Sequence, residues 1–266
     1  MLIIGEKINS TRTLVDDAVR RRDRETIAAE AKHQADAGAH YLDVNCGTLD
    51  TADEPAAMEW LVRVTQEAAG LPLCIDSPNP EALAAGLAVH QGTPLINSIS
   101  GEKERFANVL PLVQRYEAGI VALCLDDRGI PGNRETAEAV GSALVDDLLS
   151  AGIPENRIYL DPLVRSVATN RETVIDTLNL MQALHARHPG MHFVSGLSNV
   201  SFGLPERRHL NRAYAVMSIA SGLDAVILDP LDPVMMALVF AAEALVKRDR
   251  FCLSYIRAFN EGKLKV

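Results

Sequence analysis

The sequence predicts a single α/β domain over residues 1–266, a (β/α)8 TIM barrel, and three observations carry that expectation. Short apolar runs recur eight times along the chain, and each is followed by a stretch of helical periodicity. Alternation of strand and helix implies a parallel sheet, and eight such units close it into a barrel. No GxGxxG follows the first run, so the open doubly wound sheet lacks its phosphate-binding turn. A length of 266 residues suits one such barrel, and 48% hydrophobic content with only 5% aromatics fits Ala-, Val-, Leu- and Ile-rich layers.

In chain order, residues 2–6 form the first buried strand. A polar stretch and a helix over about 24–37 follow, with Gly38 as its C-cap. The second strand is 41–45, and Asp53-Glu54-Pro55 then opens a helix, its carboxylates at the N-terminus and proline in the first turn. Residues 73–76 form the third strand, with Asn79-Pro80 opening the next helix; 94–97 form the fourth, followed by a helix over about 102–116. The fifth strand, 120–125, ends at Asp126-Asp127 and leads to a helix over about 135–150. The sixth, 157–161, precedes a helix over 171–188. The seventh, 192–195, opens into Gly196-Leu197-Ser198-Asn199 and then a helix over about 209–221. The eighth, 225–229, is followed by Asp232-Pro233 and the last long helix.

The net charge of −9 argues against a nucleic-acid surface, because phosphate binding relies on Lys and Arg. A local pair such as Arg207 and Arg208 still serves a small anionic ligand. The four cysteines are scattered, with no CxxC or Cys/His spacing for zinc, and read as reduced thiols of a cytoplasmic protein. The opening apolar run is too short for a signal peptide, and no stretch reaches a membrane span.

A barrel of this kind places its chemistry at the C-terminal ends of the strands. Those ends carry Glu6 with Asn9, Asp43 with Asn45, Asp76, Asn97, Asp126, Asp161, Ser198 with Asn199, and Asp229. No lysine stands within a predicted strand near its C-terminal end for a Schiff base, and no His/Asp cluster points to a metal. Carboxylates and amides suit a neutral ring bearing several N–H donors, and a pterin edge is one. Each acid or amide has a plainer use as a helix N-cap. That use is favoured, or a supporting one, for Asp126 and Asp229, and Asp43 stays open between the two.

Seven segments resemble the pterin-binding barrel family: IGEKIN at 4–9, LDVNCG at 42–47, CIDS at 74–77, INSISGEKERF at 96–106, LDPL at 160–163, GLSNVSFGLPERR at 196–208 and LDAVILDP at 223–230. That family includes dihydropteroate synthase, the folate domain of cobalamin-dependent methionine synthase, and methyltetrahydrofolate–corrinoid protein methyltransferases. The segments are most similar to the last of these. The synthase's late Ser-Arg-Lys signature is absent, as are the DxHxxG of a cobalamin domain and a homocysteine zinc site. The resemblance therefore implies a folate-side methyltransferase whose corrinoid is carried by a separate protein. It implies pterin binding by Asp76, Asn97 and Asp161, with Gly196 and Ser198 lining the pocket. Asn199 is implied at pterin N5 and Arg207 near the p-aminobenzoyl-glutamate tail, with Glu6, Asp43 and Asn45 as possible supports. It implies no metal bound by this chain itself.

The implied reaction moves a methyl group between N5 of tetrahydrofolate and the cobalt of the corrinoid protein, in the acetogenesis-type or the O-demethylation-type direction. The alternatives are a dihydropteroate synthase-like enzyme and a non-catalytic folate-binding barrel. A homodimer is also expected. The helices before and after the eighth strand are apolar on nearly all sides, and the 251–259 segment is too short to cover both.

Overall fold

The structure, a computed structural model, describes residues 1–265. Eight strands, β1 (Leu2–Asn9), β2 (Tyr41–Asn45), β3 (Leu73–Asp76), β4 (Leu95–Gly101), β5 (Gly119–Asp126), β6 (Ile158–Asp161), β7 (His192–Phe193) and β8 (Ala225–Leu228), form one sheet in the order β7-β6-β5-β4-β3-β2-β1-β8. Every ladder is parallel. Helices α2 (Arg24–Asp36), α3 (Glu54–Ala69), α4 (Pro80–Val89), α5 (Lys103–Arg115), α6 (Arg134–Ser150), α7 (Thr173–Arg187), α8 (Arg207–Ala220) and α9 (Pro233–Leu245) follow the strands in turn. The barrel expectation holds.

The ring closes between β7 and β8 without a regular ladder. Ile227 N donates to Ser195 O at 3.0 Å. Below it, the Asp224 carboxylate accepts from Phe193 N at 2.9 Å and meets His192 Nδ1 at 2.7 Å. This is why β7 is shorter than the expected 192–195: Val194 N still donates to Leu160 O of β6 at 3.0 Å, but Ser195 and Gly196 turn to β8.

Strand alternation divides the apolar side chains into two cores. Inside the barrel, Ile4, Cys74, Leu95, Val121, Val194 and Ala225 pack with Leu2, Tyr41, Leu123, Tyr159 and Ile227. The larger core lies between sheet and helices. The same alternation turns Glu6, Asp43, Asn45, Asp76, Asn97 and Asp161 into the barrel above the apolar plug.

Two helices depart from the expectation. An extra helix, α1 (Thr13–Arg21), occupies the polar stretch after β1 and buries Val15, Ala18 and Val19 on one face. At the other end, α10 (Leu253–Asn260) lies against α9. The expected bare face of α9 is thereby corrected: between Val234 and Ala244 every residue is buried or half-buried. On α8 the outward stripe Leu210, Ala213, Met217 and Ala220 does stay exposed. All four cysteines are free thiols. No helix among the described residues is long and apolar enough to cross a membrane.

Candidate active site

The strand-end acids are not used as helix caps. In three of the loops those bonds are made by residues further along. Asn79 accepts from Glu81 N, Asn133 from Thr136 N, and Asp232 from Val234 N and Met235 N, at 2.9–3.1 Å. Asp43, Asp76 and Asp161 are therefore left facing the barrel mouth with part of their accepting capacity unused.

Register sets their arrangement. Asn45 pairs with Asp76, and Asp76 with Asn97, so the three stand at one level on β2, β3 and β4. Asn45 Nδ2 donates to Asp76 Oδ2 at 2.9 Å, and Asn97 Nδ2 donates to Asp43 Oδ1 at 3.3 Å. The two amide–carboxylate pairs interleave, each fixing the orientation of the other strand's end. Asp43 and Asn45, expected as possible supports, are bonded here to Asn97 and Asp76 respectively. Across the mouth, Asp161 Oδ1 accepts from Leu163 N at 2.8 Å.

Burial governs the electrostatics. It pushes Asp76 up to about 6, against the Asn45 hydrogen bond and the Arg105 charge. Burial also raises Asp161 to about 6, opposed by hydrogen bonds from the Leu163 and Gly196 backbone. Asp43, fully enclosed and next to Asp76, is held well above the ordinary carboxylate range. Glu6 is raised to about 7 by burial and then by the neighbouring Asp229. A mouth lined by acids that resist ionisation favours a ligand whose N–H donors satisfy the ionised form.

Two arginines hold the loops that carry these groups. Arg105 donates to Ser98 O, Pro78 O and Ser77 O at 2.6–2.8 Å, tying the ends of β3 and β4 together. Its role is invisible in the sequence, since all three acceptors are backbone carbonyls of other segments. Arg207 donates to Ser201 Oγ at 3.0 Å and Ser198 O at 2.5 Å. It braces the 3-10 turn Leu197–Ser201 that carries Asn199. The guanidinium expected near a ligand tail is thus directed at its own loop.

Asn199 is exposed, and its side-chain amide makes no hydrogen bond among the described residues. Gly196 bridges to Ile227 at the closing seam, and Ser198 Oγ donates to Glu6 Oε1 at 3.4 Å. Asp229 is no helix cap; it accepts from Leu231 N at 3.0 Å and from Lys7 Nζ at 3.1 Å. Asp126 turns away to its own loop, paired with Arg128 at 2.7 Å. Among the described residues, no group of three or more His, Cys, Asp or Glu is placed to hold a metal ion.

Comparison with known proteins agrees with this geometry. The family model for pterin binding enzymes matches residues 5–229. A methylcorrinoid:tetrahydrofolate methyltransferase of Eubacterium limosum is 36% identical over 266 residues, covering 99% of this chain and 98% of that protein. A methionine synthase of Mycobacterium tuberculosis is 31% identical over 240 residues, 85% of this chain but only 20% of that protein. Among solved structures, dihydropteroate synthase from Clostridium difficile superposes with a TM-score of 0.73 at 18% identity, covering 92% of this chain and 96% of that one. At that identity the likeness is one of fold. The strand-end acids, the interleaved amides and a family match over most of the barrel lead to one conclusion: the chain belongs to the pterin-binding enzyme family.

Proposed function

We propose that this chain is a methyltransferase that moves a methyl group between N5 of tetrahydrofolate and a corrinoid carried by a separate protein. One observation carries the reading: Asp76, Asn97 and Asp161, freed from helix capping, face a mouth beside an exposed amide, Asn199, with no internal partner. The full-length relative from Eubacterium limosum supports it. Its name runs from methylcorrinoid to tetrahydrofolate, the demethylation-type direction, and the residues described here serve either direction.

In this reading the carboxylates accept from the pterin's N3–H and 2-amino group, and Asn97 completes the polar edge. Their own amide partners restrict rotation, so the ring is held in one orientation. Gly196 and Ser198 line the pocket. Asn199 donates to N5 and strengthens that bond as the departing methyl leaves its electron pair on N5, which is electrostatic stabilisation without general-acid chemistry. The corrinoid supplies the cobalt that gives or takes the methyl group. Free thiols fit a reducing compartment, so the proposed location is the cytoplasm. The exposed apolar stripe of α8 is proposed as the face of a homodimer.

The test mixes the protein with methyltetrahydrofolate and free cob(I)alamin and follows the cobalt spectrum. Loss of the cob(I)alamin band dependent on both reagents is expected. Folate binding without that change would leave a binding protein, and condensation of a pterin pyrophosphate with p-aminobenzoate would make it a synthase.

A further inference from the structure

The last helix sits on the barrel by its polar side. Ser254, Arg257, Ala258 and Glu261 line a cleft of about 430 Å³ between α10, α9 and the start of β1. At about 100° per residue these four share one face of the helix. The opposite face holds Leu253, Tyr255, Ile256 and Phe259, which are 59%, 38%, 49% and 61% exposed. Phe251, in the turn before the helix, is 76% exposed. A helix packed on a barrel normally buries its apolar stripe. Here the stripe points to solvent, and Ala258 is the only buried residue of α10.

Hydrogen bonds fix this orientation. Asp249 accepts from Ser254 N and Tyr255 N at 3.0 Å, which anchors the start of α10. At the other end, Lys263 N donates to Ala258 O at 2.9 Å.

The charge around the stripe singles out its occupant. Lys247, Arg248, Arg250, Arg257, Lys263 and Lys265 stand against only Asp249 and Glu261, an excess of four positive charges in a chain whose net charge is −9. Both acids are committed, Asp249 to the helix start and Glu261 to Lys263 at 2.8 Å. The Arg250 guanidinium lies over the exposed Phe251 ring, 5.1 Å from its centre. Bulky apolar side chains flanked by cations match an anionic lipid surface, where the apolar groups enter the acyl boundary and the cations meet headgroup phosphates. Pairing the stripe with itself in a second copy would set two positive clusters against each other. An acidic polypeptide answers the charge and leaves the apolar row without cover.

We infer that α10 is a membrane-surface element that holds this protein on an anionic lipid leaflet, lying in the interface without spanning it. The inference is independent of the pterin reading. The cleft beneath α10 takes in Met1, Ile3 and His40, at the starts of β1 and β2, so α10 lies at the end of the barrel opposite the mouth. A protein held this way keeps its mouth open to solutes and to a partner. One short helix gives reversible attachment.

Vesicle sedimentation with the full chain tests it. At low salt the protein should pellet with vesicles of phosphatidylglycerol and phosphatidylcholine in equal parts, stay in the supernatant with phosphatidylcholine alone, and be released by high salt. Lys247→Gln and Arg250→Gln should each weaken binding about fivefold, the loss of one cation at the surface. Ile256→Ser combined with Phe259→Ser should weaken it by about tenfold or more and leave thermal unfolding unchanged, because both side chains are already exposed. No pelleting with the anionic vesicles overturns the inference, and retention on immobilised polyglutamate would then assign the face to an acidic protein. Equal pelleting with phosphatidylcholine alone overturns it too. So does conversion of a sedimenting dimer into monomer by the Ile256→Ser and Phe259→Ser pair, which would place a second copy on this face.

Discussion

Replacing Asp161 by asparagine should make the free protein more stable at alkaline pH while making it a worse receptor. Asp161 is only 8% exposed, and burial moves its carboxyl from an ordinary 3.8 to about 6. Between those values the folded chain holds a proton that the unfolded chain has lost, so this residue's contribution to stability falls as pH rises. Above about pH 6 the ionised carboxylate costs the fold about 3 kcal/mol. An amide removes that cost. It also turns a donor toward one of the two backbone N–H groups, of Leu163 and Gly196, that the carboxylate satisfies. A mismatched pair of that kind costs about 1–2 kcal/mol at every pH. The variant is then less stable than the parent by about 1–2 kcal/mol at pH 4 and more stable by about the same at pH 8. The two stability curves cross between them.

Urea unfolding at pH 4, 6 and 8 measures the crossing, and calorimetry with tetrahydrofolate at pH 8 measures the other half. An amide presents an N–H where the ring's own donors need an acceptor, so affinity should drop by about 1.5–3 kcal/mol, tenfold or more. Parallel stability curves would refute the electrostatic argument, because they would mean that burial does not penalise this charge. A crossing with unchanged affinity would refute the binding role alone. A crossing together with the loss of affinity describes a site kept less stable than it need be because the same carboxylate is wanted by a ligand.

Three further outcomes follow from the same geometry. Asn199→Ala should lower the rate of methyl transfer by more than it weakens tetrahydrofolate binding, because the bond to N5 gains strength only as charge develops; equal losses, read from single-turnover rates beside calorimetry, would make it a plain binding residue. Asp76 and Asp161, both raised to about 6, should lose protons when a donor-rich ring favours their ionised forms, so binding at pH 6 releases protons and binding at pH 8 releases fewer; calorimetry in buffers of different ionisation enthalpy would contradict this if pH 6 showed uptake. Met217, 41% exposed in the apolar stripe of α8, is the residue whose change to glutamate should turn a sedimenting dimer into monomer at micromolar concentration; a parent protein that is already monomeric there removes the dimer.

The barrel and the strand-end acids were legible because both depend on periods the chain carries openly. Strands and helices alternate, one strand position in two faces inward, and the last inward one is in most strands a carboxylate or an amide. What the sequence leaves out is register. Asn45 and Asp76 lie thirty-one positions apart, and only the β2–β3 pairing puts the amide of one on the carboxylate of the other. Arg105 is hidden for a related reason: its acceptors are carbonyls, which every residue has. The missed helix α1 carries only three buried side chains, and its N-cap position, Arg12, makes no capping bond, so it offers neither of the usual starting signals. The apolar excess on α9 was real, but its cover, α10, could be assigned only once the chain's return path was known.

The paired arginines are the sharpest instance. In the sequence Arg207 and Arg208 are equivalent cations at the start of one helix. A single residue step turns the helix by about 100°, and that rotation separates their work. Arg207 is turned back into the 197–201 turn and braces the loop bearing Asn199; Arg208 lines the cleft between α8 and the loop after β8, with no hydrogen bond or ion pair among the described residues. A reading from the sequence that sets both beside an anionic tail cannot apportion them. A substitution at Arg207 is therefore expected to loosen the turn that carries Asn199, whereas one at Arg208 leaves the bonds of that turn in place.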